Sequence, residues 1–313
     1  MADKIATREA YGKALVEFGA KYENLIVLDA DLAAATKTGM FKKAYPERFF
    51  DCGIAENNMI GVACGLSLSG KIPFASSFAM FLAGRSFEQV RNSVGYPHLN
   101  VKLGATHAGI TVGEDGATHQ CNEDLALMRT IPGMTIINPA DATEARKAVE
   151  AAIKFEGPVY LRFGRMAVPV LYDDDYDFQI GKGVVMAEGS DVSLIATGIM
   201  VEQALAAREL LAADGIKASV VNMATIKPLD EALVIDMAAK CGAIVTCEEH
   251  SIVGGLGAAV CECVSGECPV PVKRIGVKDT FGRSGPAGEL VKYFGLDAES
   301  IAAAAKAAVA AKK

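Results

Sequence analysis

The stretch that decides the fold runs from 134 to 164, MTIINPADATEARKAVEAAIKFEGPVYLRFG. It opens on an apolar segment, MTIINPA, crosses an Ala-rich charged segment, ATEARKAVEAAIKF, and closes on a second apolar segment, PVYLRFG. Strand, helix and strand in that order make a crossover unit, the connection that parallel strands require. The same alternation extends towards the N-terminus. A 3.6-period helix over about 6–22 precedes the strand LIVLDA, and a helix over about 55–69 follows the strand around FFDCG. Then come KIPFASSF as strand, FLAGRSFEQVRNSVGY as helix, NVKLGAT as strand and DLALMRTI as helix. Such alternation predicts a parallel sheet covered by helices on both faces.

From 166 to 182 the periodicity lapses in MAVPVLYDDDYDFQIGK, an acidic, aromatic, Pro-containing stretch that is the candidate linker. Beyond it the alternation resumes on a smaller scale, with DVSLIAT, IKASVVNM, AIVTCEE and PVKRIGV as strands, and it ends in a closing helix, ESIAAAAKAAVAAKK. Two α/β domains therefore follow one another. A chain of 313 residues accommodates two, since about 100–200 residues per domain is usual.

Composition excludes several classes of function. A net charge of −7 with no basic block argues against a nucleic-acid or anionic-membrane surface. The N-terminus carries no apolar stretch fit for a signal peptide, and nowhere do about 18 uninterrupted apolar residues occur. The expectation is a soluble cytosolic protein. The eight Cys form no CxxC, and Cys261 and Cys263 point apart on a helix-like segment, so reduced structural thiols are expected. There is no GxSxG and no GxxxxGK[ST]. The string GGLGAAV at 254–260 only loosely matches a dinucleotide loop.

In open parallel sheets ligands bind at the carboxyl ends of strands, and three loops there are unusual. CGIAENN places Glu56 in the opening turn of a helix, either as a complement to the helix dipole or as a functional acid. ATHAGITVGEDGATHQ holds His107 and His119 with Glu114 and Asp115 among glycines, a set able to exchange protons near neutral pH. Its His spacing matches neither HxxxH nor HExxH, and no metal site is expected. SSFAMFLAGRSF puts Phe78 and Phe81 three apart, on one face, as core packing or as an apolar platform for a planar heterocycle.

With these loops in hand, the chain resembles the carboxyl-terminal portion of transketolases, nearly end to end. GIAENNM is similar to the family's Glu motif, SSFAMF to its aromatic motif and THAGITVGEDGATHQ to its signature loop. The resemblance implies a pyrimidine-binding domain over 1–170, a linker over 171–183 and a transketolase C-terminal domain over 184–313. It implies thiamine diphosphate as cofactor, with Glu56 hydrogen-bonded to N1′ of the aminopyrimidine, Phe78 and Phe81 around that ring and Asp31 beside it. His107 and His119 match residues that contact sugar hydroxyls and shuttle protons, and Asp115 matches a carboxylate that reads a donor hydroxyl. Arg8 and Arg165 match positions that grip the sugar phosphate, a bidentate task suited to guanidinium forks. The implied reaction is transfer of a two-carbon ketol unit from a ketose to an aldose.

Three departures stand out. A Ser of the family's phosphate site is Ala35 here, with Thr36 adjacent, and the third aromatic position is Gly84. The GDG and NN motif that grips diphosphate through Mg²⁺ is absent, because Asn57 and Asn58 follow no upstream GDG. The expectation is that Mg²⁺ and diphosphate are held by a separate N-terminal subunit in an α2β2 assembly. A deoxyxylulose-phosphate synthase fragment and a 2-oxoacid dehydrogenase β subunit are the nearest alternatives. His107 and Phe81 favour transketolase over the synthase.

Overall fold

A computed structural model describes residues 4–312 and builds them around two sheets. The larger sheet has seven strands in the order Thr225–Lys227, Thr135–Ile137, Val159–Arg162, Lys102–Thr106, Ile72–Phe78, Leu25–Asp29, Phe49–Asp51. Every neighbouring pair but one is parallel, as the strand–helix alternation predicts. Leu25–Asp29, Ile72–Phe78 and Lys102–Thr106 are buried along their whole length, the consequence of helices on both faces.

One face is covered by the helices Thr7–Lys21 and Ala142–Lys154, where Tyr11, Leu15 and Phe18 pack with Ala145, Ala148, Val149 and Ala152. Small side chains on the second helix make room for the large ones on the first. Burying Leu15 or Phe18 contributes about 1.5–3 kcal/mol each. The other face is covered by the helix Glu56–Leu68 through Met59, Ile60 and Ala63, together with Leu82 and Val90.

The second sheet runs Val272–Val277, Ile244–Ser251, Val192–Ala196, Ala218–Asn222, Val184–Ala187. Its last strand pairs antiparallel to its neighbour. Each sheet therefore ends on an antiparallel strand where pure parallel pairing was expected. Both edge strands are only three or four residues long, and a short strand with one neighbour closes an otherwise open ladder. The edge strand of the larger sheet, Thr225–Lys227, comes from the second half of the chain.

One further segment differs from expectation. The region 81–96 is not one regular helix but wide π-type turns, Met80–Arg85 and Val90–Gly95, flanking a short α-turn. The aperiodic stretch 166–182, the candidate linker, packs against the rest of the chain. Ala167–Pro169 pairs with Lys4–Ala6, the rings of Tyr172 and Tyr176 stack at 3.9 Å, and the Tyr176 hydroxyl donates to the buried carboxylate of Glu144 at 2.9 Å. All eight cysteines are free, with Cys64, Cys121, Cys241 and Cys247 buried. Among the described residues no helix is long and apolar enough to cross a membrane.

Candidate active site

The register of the larger sheet lines up its carboxyl end. Asp29 sits opposite both Asp51 and Ser76, and Phe78 sits opposite Thr106, so the chain leaves these strands side by side. Asp31, Glu56, Phe81 and His107 follow within a few residues and share one crevice edge, where a switch in strand order favours ligand binding.

Glu56 starts its helix but does not cap it. Asp141, Asp230 and Asp297 each accept a backbone N–H at the start of their helices, whereas no side chain caps the helix that Glu56 opens. The Glu56 carboxylate is 2% exposed, and Arg85 Nη1 donates to both its oxygens, at 3.0 and 2.9 Å. A dipole complement needs no such burial. Arg85 carries no obvious signal in the sequence beyond lying four residues after Phe81, the spacing that lets a cation reach a ring on a helical face.

Phe78 and Phe81 stack at 5.8 Å between centroids and 11° between planes. His107 lies against Phe78 at 3.8 Å, and His119 meets the Phe81 ring edge-on at 5.4 Å. The Arg85 guanidinium covers Phe81 at 4.5 Å. At Gly84 the methyl of Met80 fills the space, since a Cβ there would come within 2.1 Å of it.

His107 is 2% exposed and adopts a left-handed backbone, φ 55°. Burial, then the charges of Arg8 and Arg165, push its pKa down to about 3, so its ring is neutral at ordinary pH. Arg8 Nη1 lies 2.9 Å from His107 Nε2 and can only donate, which leaves Nε2 as acceptor. The hydrogen-bond network then assigns the proton to Nδ1, which donates to Thr106 Oγ1 at 2.9 Å. Arg8 also donates to the carbonyl of Ala35 at 2.8 Å, while its buried Nε has no partner.

Arg165 joins Arg8 in this positive field and lies 3.6 Å from both Glu114 and Asp115. Asp31 is exposed, its backbone left-handed at φ 61°, and its N–H donates to Asp51 Oδ1 at 3.1 Å. The neighbouring Asp29 carries no distinguishing signal in the sequence. It is fully buried, accepts from the hydroxyls of Thr36 and Thr38, and burial pushes its pKa up to about 6. It ties down the turn that carries Asp31 and Ala35.

The signature loop is held from the second half of the chain. Thr111 N–H donates to the buried carboxylate of Glu249 at 2.7 Å, and Gln120 Nε2 donates to the Arg283 carbonyl at 2.9 Å. Gly109 packs so closely on Glu249 that a Cβ there would lie 2.3 Å from its carboxyl group. The long separation in sequence hides this support. The GGLGAAV string is also accounted for. Glu248 accepts the N–H groups of Leu256 and Gly257 at 2.7 and 2.8 Å, so the chain's own carboxylate takes the place a dinucleotide phosphate would need.

Residues 3–170 match the family described as transketolase, pyrimidine binding domain, and residues 181–301 match transketolase, C-terminal domain. The chain is 52% identical over 298 residues to a putative transketolase C-terminal section of Methanocaldococcus jannaschii, covering 94% of this chain and 93% of that one. It is 39% identical to a transketolase of Homo sapiens over 98% of its own length but only 49% of the human chain. Among solved structures, one described as a split gene transketolase, inactive beta4 tetramer, superposes with a TM-score of 0.93 at 53% identity, covering 99% of this chain and 100% of that one.

Proposed function

The chain belongs to the transketolase family, and on that premise we propose that it is the C-terminal subunit of a split transketolase, transferring a two-carbon ketol unit from a ketose phosphate to an aldose phosphate. The family depends on thiamine diphosphate. The observation that carries the proposal is the buried Glu56 carboxylate set beside the Phe78–Phe81 stack at the carboxyl end of a parallel sheet. A buried acid whose donor is a half-exposed side chain, next to a flat apolar wall, suits a planar ring with a hydrogen-bonding nitrogen.

When bound, thiamine diphosphate supplies the electron sink for breaking and making the carbon–carbon bond. In this reading Glu56 would hold N1′ of the aminopyrimidine, Phe81 and Phe78 would form the apolar wall against that ring, and Asp31 would lie beside it. Neutral His107, held between Arg8 and Thr106, lines the sugar end of the site, and His119 exchanges protons with sugar hydroxyls. Asp115 reads a donor hydroxyl. Arg8, with its unpartnered Nε, and Arg165 receive the sugar phosphate, which relieves the repulsion between two neighbouring guanidiniums.

The diphosphate end is assigned elsewhere. Among the described residues no group of three or more His, Cys, Asp or Glu is placed to hold a metal. We assign Mg²⁺ and diphosphate to an N-terminal subunit with the GDG and NN motif, in an α2β2 enzyme. The division into 1–170, a joining segment 171–183 and 184–313 belongs to the same reading. The test mixes this chain, thiamine diphosphate, Mg²⁺ and sugar phosphates with and without such a subunit. Ketol transfer is expected only with it, and full transfer by this chain alone refutes the proposal.

A further inference from the structure

Arg85 makes two contacts that define the wall of the site. Its Nη1 donates to both oxygens of Glu56, and its Cζ lies 4.5 Å from the centre of the Phe81 ring. A buried carboxylate to accept N–H, and an aromatic face to stack on, are the two features just assigned to aminopyrimidine recognition. A guanidinium is planar, cationic and rich in N–H donors, so it satisfies both at once. Its planar cation and N–H donors are similar in shape and hydrogen bonding to a protonated aminopyrimidine.

The two partners differ in freedom. The Glu56 side chain is 2% exposed and stays where the helix start puts it, whereas the Arg85 side chain is 49% exposed. Arg85 ends the wide turn Met80–Arg85, and the Ser86 N–H reaches back to the Phe81 carbonyl at 3.2 Å. That turn places Phe81 and Arg85 on the same edge of the crevice, with the guanidinium open to water on its outer side. An Arg there can leave without disturbing the core, while an unpaired Glu56 would be a buried charge with nothing to balance it.

We propose that Arg85 is a positioning residue that stands in the aminopyrimidine's place, holding Glu56 and Phe81 in their working arrangement, and swings out to solvent as the cofactor ring enters. The proposal rests on the assignment of Glu56 and Phe81 to the cofactor ring. Displacing Arg85 then lowers the apparent affinity for that ring, as any competing internal group must.

The test uses the complex of the full chain with its N-terminal partner, with thiamine diphosphate and the bare ring 4-amino-2,5-dimethylpyrimidine as probes, titrated by calorimetry or NMR. Arg85→Met is expected to bind the bare ring about tenfold more tightly than wild type, because it has no half-exposed ion pair to Glu56 and no cation–π contact to Phe81 to give up. Arg85→Lys, which keeps the charge and secures a folded variant, falls between, because a point charge pairs with Glu56 without stacking flat on Phe81. Ligand-induced thermal stabilisation is expected to be larger in Arg85→Met than in wild type, a difference that a merely structural Arg would not produce. Equal or weaker binding by both variants, with Glu56→Gln still weakening wild type, overturns the stand-in role and leaves the assignment of Glu56 intact. Failure of every form to bind either probe, or binding indifferent to Glu56→Gln, overturns that assignment and the stand-in role with it.

Discussion

Glu249→Ala tests whether the second half of the chain holds the signature loop. In the native chain Glu249 is 3% exposed, its Oε1 accepts the Thr111 N–H at 2.7 Å, and Gly109 rests on its carboxyl group. Truncation leaves a buried backbone donor without a partner, which costs about 1–3 kcal/mol, and opens a cavity under the loop. Removing a carboxylate whose pKa burial has raised offsets part of that loss. A net destabilisation of about 2 kcal/mol follows. Glu249→Gln keeps the shape and the accepting oxygen, and its cost stays below about 1 kcal/mol. The assay is the urea midpoint combined with hydrogen exchange over residues 109–120. Exchange in that loop should rise in the Ala variant while the helix Thr7–Lys21 stays protected. Unchanged loop protection, or equal losses in the Ala and Gln variants, would refute the latch.

The pH response of His107 has a defined sign. Its folded pKa near 3 lies below the ordinary value of 6.5, so the unfolded chain binds more protons between these values. Stability contributed by this site is therefore full above about pH 6.5 and falls as pH drops towards 3, by at most about 1.4 kcal/mol per pH unit. In His107→Gln, calorimetry across pH 3–6.5 should show a shallower acid-side decline than wild type; an identical slope counts against a neutral buried ring. At the phosphate end, Arg165→Met should raise KM for phosphorylated sugars by about tenfold or more while sparing kcat, since it removes a charge-assisted bond made equally in ground and transition states. A fall in kcat with KM unchanged would place Arg165 on the reacting atoms instead.

Much of this was legible in the sequence, for physical reasons that also mark where legibility ends. Strands buried on both faces, such as Leu25–Asp29 and Ile72–Phe78, read as continuous apolar runs, and the helices between them show their period. Thr225–Lys227 and Val184–Ala187 did not, because each pairs antiparallel at a sheet edge, outside the strand–helix alternation that marks the parallel strands. The turns at Met80–Arg85 escaped because the apolar spacing of a helix survives one widened turn. Glu56, Phe78, Phe81, His107 and His119 stood out as unusual residue types just after strands, and the fold brings them to one edge. Arg85 carries no signal in the sequence beyond its spacing from Phe81. Glu249 and Thr111 are 138 residues apart, a contact only tertiary structure creates.

The most direct measurement is proton exchange at C2 of thiamine diphosphate in the complex of this chain with its N-terminal partner, wild type against Glu56→Ala. If the Glu56 carboxylate activates the cofactor ring, exchange falls by about 10²–10⁴-fold in the variant. Exchange at the wild-type rate would contradict the account and return Glu56 to the status of a helix-end carboxylate.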